Sequence, residues 1–274
     1  MAGEAELTVI SLGGGVQSSV VSLMAAEGLI KPMPDFAVFA DTGWEPEAVY
    51  RHIDWLAEQL PFPIEHIGKR SIREDILAGT NSTGQQFTSI PAFVRSFNGK
   101  PAIVRRQCTR EYKLSPIEEE LRYLLGLGFG QRVPDEMFVE LWIGISVDEA
   151  IRMKPSRQKW IVNRWPLIDL GLSRSDCIDW FIERYPDRTL PRSACIGCPY
   201  HTDAEWAHMQ RYDPKSWADA ISVDNALRST TRAKRFGGEM YLHSSMRPLG
   251  EIVFLPIQEQ LPTFGEECEG LCGV

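Results

Sequence analysis

"VISLGGGVQSSVVSL", residues 9–23, runs from a β-branched apolar segment through three consecutive glycines into Ser18 and Ser19. A short apolar run, a glycine loop and then apolar residues at helical spacing predict strand, tight turn and helix. Glycines at such a turn let the backbone approach a ligand closely with its N–H groups turned inward. The helix N-terminus behind them adds partial positive charge, and the two serines add hydroxyl donors, so the turn suits a phosphate. No Gly-Lys-Ser/Thr follows, which excludes a Walker loop, and Gly13-Gly14-Gly15 does not fit G-x-G-x-x-G. A tight strand-to-helix turn without a ligand is the competing reading of the triplet alone.

Working outward, "DFAVFA" (35–40) predicts a second strand ending at Asp41-Thr42-Gly43, and "EPEAVYRHIDWLAEQL" a helix with carboxylates in its first turn. "PIEHIG" reads as a third strand, and "SPIEEELRYLLGLG" as a helix with Pro at its start. "MFVELWIGI" (137–145) is the strongest strand, and "SRSDCIDWFIERY" (173–185) a Ser-capped helix. The stretch from Lys69 to Gln107 is mixed and loop-like, and the last 20 or so residues read as loop. Strands alternating with helices imply an α/β fold: a mainly parallel sheet with helices on both faces. A core over residues 1–170 and a helical, cysteine-bearing extension over 171–274 are expected.

The chain has 274 residues, 43% hydrophobic and 24% charged, the balance of a globular enzyme. A net charge of −8 excludes nonspecific coating of nucleic acid through a broad cationic face. The opening "MAGEAELTVI" lacks a basic segment and a long apolar run, so no signal peptide and no membrane association are expected. A cytoplasmic location follows, where the six cysteines stay reduced and favour metal ligation, redox chemistry or burial.

"GGGVQSS" after a first strand resembles the PP-loop, usually Ser-Gly-Gly-x-Asp-Ser, of ATP pyrophosphatases and phosphoadenylylsulfate (PAPS) reductases. Gly13 stands at the first Ser, Gly14 and Gly15 at the glycines, Gln17 at Asp and Ser18 at the final Ser. Three further stretches are similar in order and spacing: "FADTGWEPEAVY", "CTREYKLSPIEEEL" and "GISVDEAIRM". The resemblance spans roughly residues 8–200 and implies an adenine nucleotide alpha-hydrolase-like fold. It implies that Gly13, Gly14, Gly15, Gln17, Ser18, Ser19, Asp41, Thr42, Gly43 and Arg110 bind ATP or another adenine nucleotide. Asp41, at the carboxyl end of a strand, suits a ribose hydroxyl or Mg²⁺; an ordinary turn-forming Asp before Gly is the alternative. Lys113 suits a phosphate or sulfate charge, with Arg105, Arg106 and Arg110 crowding the same segment. Asp148, Glu149 and Arg152 follow the strongest strand and are candidate groups at the mouth of the crevice, with an ordinary acidic helix start as the alternative.

Cys195 and Cys198 in "ACIGCP" have the C-x-x-C spacing that lets two thiolates reach one metal, or form a redox pair. The resemblance extends to the iron–sulfur branch of the family and implies a 4Fe-4S cluster on Cys108, Cys195 and Cys198, with Cys272 as a fourth ligand or the fourth iron open. Zinc is the alternative metal. Cys177, inside an amphipathic helix, reads as a core thiol. In the tail "EECEGLCGV", Cys268 and Cys272 stand where the reductases of this family carry a nucleophilic cysteine. His201 reads as a substitute ligand or a polar residue at a helix start.

The expected reaction is ATP-dependent adenylation followed by sulfur transfer from a sulfur donor to a nucleic-acid base or small metabolite. Asp41, Lys113 and the tail cysteines Cys268 and Cys272 are its catalytic candidates. Sulfonucleotide reduction by a tail cysteine is the alternative, and a noncatalytic binding module with structural zinc is the third. "RSTTRAKRFGG" (228–238) offers a basic stretch for tRNA or DNA, or a solvated loop. A homodimer is compatible with the sequence.

Overall fold

The computed structural model describes residues 3–68, 70–79, 90–95, 101–128, 130–229 and 238–254. In chain order these form β1 (Leu7–Leu12), α1 (Val16–Ala26), β2 (Phe36–Ala40), α2 (Glu47–Gln59), β3 (Ile64–Ile67) and α3 (Ile72–Ala78). Next come β4 (Phe93–Arg95), β5 (Pro101–Ile103), a π-helical turn (Thr109–Leu114), α4 (Ser115–Leu124) and β6 (Val139–Ile143). A 3-10 turn (Val147–Arg152), β7 (Ile161–Arg164), α5 (Pro166–Asp169) and α6 (Arg174–Arg184) follow. The chain continues through α7 (Asp203–Tyr212), α8 (Pro214–Ser229), β8 (Met240–Tyr241) and a last 3-10 turn (Leu249–Glu251).

Five strands make one sheet in the order β3-β2-β1-β6-β7, and every pairing in it is parallel. Parallel strands need crossover helices, which cover both faces and leave the strands apolar throughout. β2 accordingly is buried at every residue. Alternation sorts the strand side chains: Ile10, Phe39 and Trp142 face α1, α2 and α6, whereas Val9, Val38 and Leu141 face Ile117 and Leu121 of α4. The α/β architecture with helices on both faces is therefore present. α6, the first long helix beyond residue 170, joins this core through Cys177 and Phe181, both fully buried. A Ser173–Asp176 capping box fixes its start.

A second core lies to one side. The antiparallel sheet β5-β4-β8 packs with α3, α7 and α8 around Ile72, Ile76, Trp206 and Leu242. Its hub is Asp224 on α8, fully buried, whose carboxylate accepts the N–H groups of Leu242 and Leu249 at 2.9 Å each and Arg228 at 2.5 Å. Among the described residues no helix is long and apolar enough to cross a membrane.

Candidate functional site

In the sheet order, β1 lies between β2, which follows it in the chain, and β6, which comes much later. The direction of winding reverses between β1 and β6, and open α/β sheets bind ligands in the crevice at the carboxyl ends of such strands. The glycine loop occupies that position. Gly15 caps α1 with no side-chain hydrogen bond, and the first turn of α1 holds no acidic residue. Gly13 N–H donates to Ser18 Oγ at 3.2 Å, while among the described residues no acceptor is found for the N–H groups of Gly14 and Gly15. The loop thus presents unsatisfied donors at a positive helix end, the requirement for an anion cradle.

The side chains of the loop are engaged with protein. Ser19 donates to Gly15 O at 2.6 Å and meets His52 Nε2 at 2.8 Å. Gln17 is fully buried; its amide donates to Glu149 at 2.8 Å and accepts from Arg174 at 2.6 Å. Glu149 also holds Arg152 at 2.5 Å, and Asp148 accepts the backbone N–H of Arg174 at 3.0 Å. This network ties α1, the turn after β6 and the start of α6 together across the crevice. Gln17 is therefore a brace between its two sides.

Asp41, at the end of β2, accepts through one oxygen from Gly43 N–H at 2.7 Å and from the Tyr50 hydroxyl at 2.9 Å. Burial, then the charge and hydrogen bond of Asp41, hold the Tyr50 hydroxyl well above its ordinary range, so it stays a donor. Thr42 is buried and donates to Glu45 at 3.0 Å.

The chain then folds the three expected thiols into one place. Cys108, Cys195 and Cys198 line one cleft, together with Thr42, Trp44, Thr109, Lys113, Arg106 and Tyr200. Thr42 Oγ1 stands 3.3 Å from Cys195 Sγ, which links the Asp41-Thr42-Gly43 turn to the C-x-x-C loop. Burial and the Glu45 carboxylate push the Cys195 thiol up, against the opposing pull of Lys113. Lys113 is buried, and Arg106 stacks over the Tyr200 ring at 5.5 Å. Thr109 Oγ1, also buried, has no hydrogen-bond partner among the described residues.

The C-x-x-C loop is held from several sides. Ile196 N–H donates to Trp44 O at 2.9 Å, and Trp44 Nε1 donates to Asp219 of α8 at 2.6 Å. Arg73 of α3 pairs with the same carboxylate. His201 lies 3.1 Å from Cys195 O and packs edge-on against Trp206. Burial and nearby Arg192 lower its pKa to about 3, so it is a neutral buttress of the loop. Ser193 donates to Gly13 O, a direct bond between this loop and the glycine turn.

The site thus brings together Gly13, Thr42, Lys113 and the three matched cysteines. Arg110 is turned elsewhere, its guanidinium forming a two-point pair with Glu118 at 2.5 and 2.9 Å. Cys177 is a fully buried core thiol, as expected. Cys268, Cys272 and most of the basic stretch 228–238 lie outside the described residues. Sequence reading passed over Trp44, Thr109, Ser193 and Tyr200; Trp44 and Thr109 lie inside matched stretches, which was the available signal.

Among the described residues, no three His, Cys, Asp or Glu side chains are grouped closely enough to hold a metal ion. The three thiols share the cleft without standing at ligand distances from one centre. Their chemistry still fits a thiophilic group: three sulfurs line one space, two of them on a loop fixed by the backbone bond from Ile196 to Trp44, and Lys113 is buried beside them. No protein-family model matches the chain, and no curated protein matches it.

Proposed function

We propose that the chain is a PP-loop enzyme that binds an adenine nucleotide at the glycine turn and carries out sulfur chemistry in the adjoining cysteine cleft. The observation that carries this reading is the direct attachment of the two: Ser193 to Gly13, and Cys195 to Thr42. A turn suited to phosphate and three thiols on adjoining loops support a reading in which an activated nucleotide meets sulfur.

In this reading ATP is attacked at its α-phosphate by a substrate oxygen, that P–O bond forms, and pyrophosphate leaves with the electron pair of the cleaved bond. Sulfur then displaces AMP from the adenylated substrate. The N–H groups of Gly14 and Gly15 stabilise phosphate charge, and α1 adds its positive end. Asp41 is available to a ribose hydroxyl or Mg²⁺, and Lys113 faces charge that develops near the thiols. Cys108, Cys195 and Cys198 would hold an iron–sulfur cluster, with zinc as the alternative. When bound, such a cluster supplies a site that takes up and releases sulfide. The apolar wall of the cleft excludes water from that sulfur. The acceptor is a nucleic-acid base or a small metabolite, and the thiols require a reducing compartment such as the cytoplasm.

Two measurements on anaerobically purified protein test the reading. Iron and labile sulfide are expected in metal analysis, and their loss is expected in Cys108→Ser, Cys195→Ser and Cys198→Ser. ATP with Mg²⁺ and acceptor is expected to give AMP and pyrophosphate. Sulfite from adenylylsulfate would instead establish a sulfonucleotide reductase. Failure to bind any adenine nucleotide would sink both.

A further inference from the structure

The glycine turn and the cysteine cleft are joined by a side chain to which the reading above gives no chemical part. Ser193 is fully buried, two residues before Cys195, and donates its hydroxyl hydrogen to the carbonyl oxygen of Gly13. The peptide between Gly13 and Gly14 is trans, so its C=O and N–H lie on opposite edges of one plane. Fixing the carbonyl toward Ser193 therefore turns the Gly14 N–H away from it. That N–H has no acceptor among the described residues. The cysteine loop is also fastened to the turn after β2, through Ile196 N–H to Trp44 O at 2.9 Å and through Cys195 to Thr42 at 3.3 Å. The segment from Ser193 to Cys198 thus hangs on both loops that would hold a nucleotide.

We infer that Ser193 is a positioning residue that couples occupancy of the glycine turn to the thiols of Cys195 and Cys198; the inference rests on the adenine-nucleotide reading. An anion that accepts from the Gly14 N–H polarises that peptide and makes the Gly13 carbonyl a stronger acceptor. The Ser193 bond tightens, because hydrogen bonds in a chain reinforce one another. A tighter bond at Ser193 steadies the backbone that carries Cys195 and Cys198. The linkage runs both ways, so whatever occupies the thiols changes nucleotide affinity by the same factor.

Alkylation of Cys195 and Cys198 by iodoacetamide, followed by peptide mass spectrometry, tests this on the full chain stripped of bound metal by a chelator under reducing, anaerobic conditions, since a metal on these thiols would itself block alkylation. AMP and ATP are the probes, and equilibrium dialysis reports their binding separately. Bound nucleotide is expected to slow alkylation by about fivefold or more, the lower end of ordinary coupling between sites. Ser193→Ala, measured at saturating nucleotide, is expected to lose that slowing. A nucleotide that merely covered the thiols would slow both proteins alike, and this result overturns the coupling. Bound nucleotide with unchanged alkylation in the native chain overturns it too, and leaves the nucleotide reading standing. Absence of any nucleotide binding brings down that reading and the coupling together. Hydrogen exchange at the Ile196 amide of the native chain is a second measure that needs no variant: nucleotide slows it if the coupling exists and leaves it unchanged if not.

Discussion

Gly197 lies against the indole of Trp44 so closely that a Cβ on Gly197 would stand 2.0 Å from Cη2 of the ring. The middle of the C-x-x-C loop is thus moulded on an aromatic plate. That plate is itself held by Asp219, which also pairs with Arg73.

Gly197→Ala must therefore displace the ring, and the Trp44–Asp219 hydrogen bond moves with it. A stability loss of about 1–3 kcal/mol is expected from overpacking, read by urea unfolding. If the cleft holds a metal as proposed, reduced metal content at equal protein concentration accompanies it.

Gly144 makes a comparable approach on the nucleotide side, where a Cβ would stand 2.6 Å from the backbone nitrogen of Ser18. Backbone cannot swing aside as a flexible side chain can. Gly144→Ala should therefore push the glycine turn off the end of β6 and abolish adenine-nucleotide binding in equilibrium dialysis. Retained affinity would show that the turn is not the nucleotide site.

Asp224 holds two backbone N–H groups and Arg228 in a fully buried position. Asp224→Ala leaves these donors without an acceptor, at a cost of about 3–5 kcal/mol as for other broken buried charge pairs. Thermal unfolding should read the loss, and limited proteolysis should show new cleavage near residues 240–250.

His52 gives the fold a pH dependence of known sign. Burial lowers its pKa from 6.5 to about 4, and Arg188 adds to the shift. Below pH 6.5 the unfolded chain takes up a proton that the folded chain refuses until about pH 4, so this contribution is complete above pH 6.5. It is lost as the pH falls through that window, at up to about 1.4 kcal/mol per pH unit. Urea unfolding at several pH values should show a shallower acid-side slope in His52→Asn than in the native chain.

The parallel sheet was legible because its three central strands are largely apolar runs and its helices carry their own start signals, as at Ser173 and Pro116. The edge strand β7, Ile161–Arg164, is short and half polar and was not anticipated. The thiol grouping was partly legible, since Cys108, Cys195 and Cys198 stand in matched segments. Gly144 opens a matched stretch and Gly197 sits inside the C-x-x-C, but the reason each must be glycine was hidden, because it is a distant backbone or ring that approaches only after folding. The strands β4, β5 and β8 escaped for a related reason. They are two or three residues long, too short to show a period, and β8 reaches its partner β4 from far along the chain. Ser193 looked like any loop serine until its acceptor on Gly13 came into view.

The pairing of Phe93 and Val94 with Tyr241 and Met240 has a consequence for how the protein is made. All five strands of the parallel sheet have been made by Arg164, and α6 then covers the face of Ile10, Phe39 and Trp142 with Cys177 and Phe181, all while the ribosome is still adding residues. The small sheet beside the cysteine cleft must wait for β8. Nascent protein therefore passes through a stage with the parallel sheet assembled and the second core still open, and only near the end of synthesis are the walls around the cysteine cleft complete.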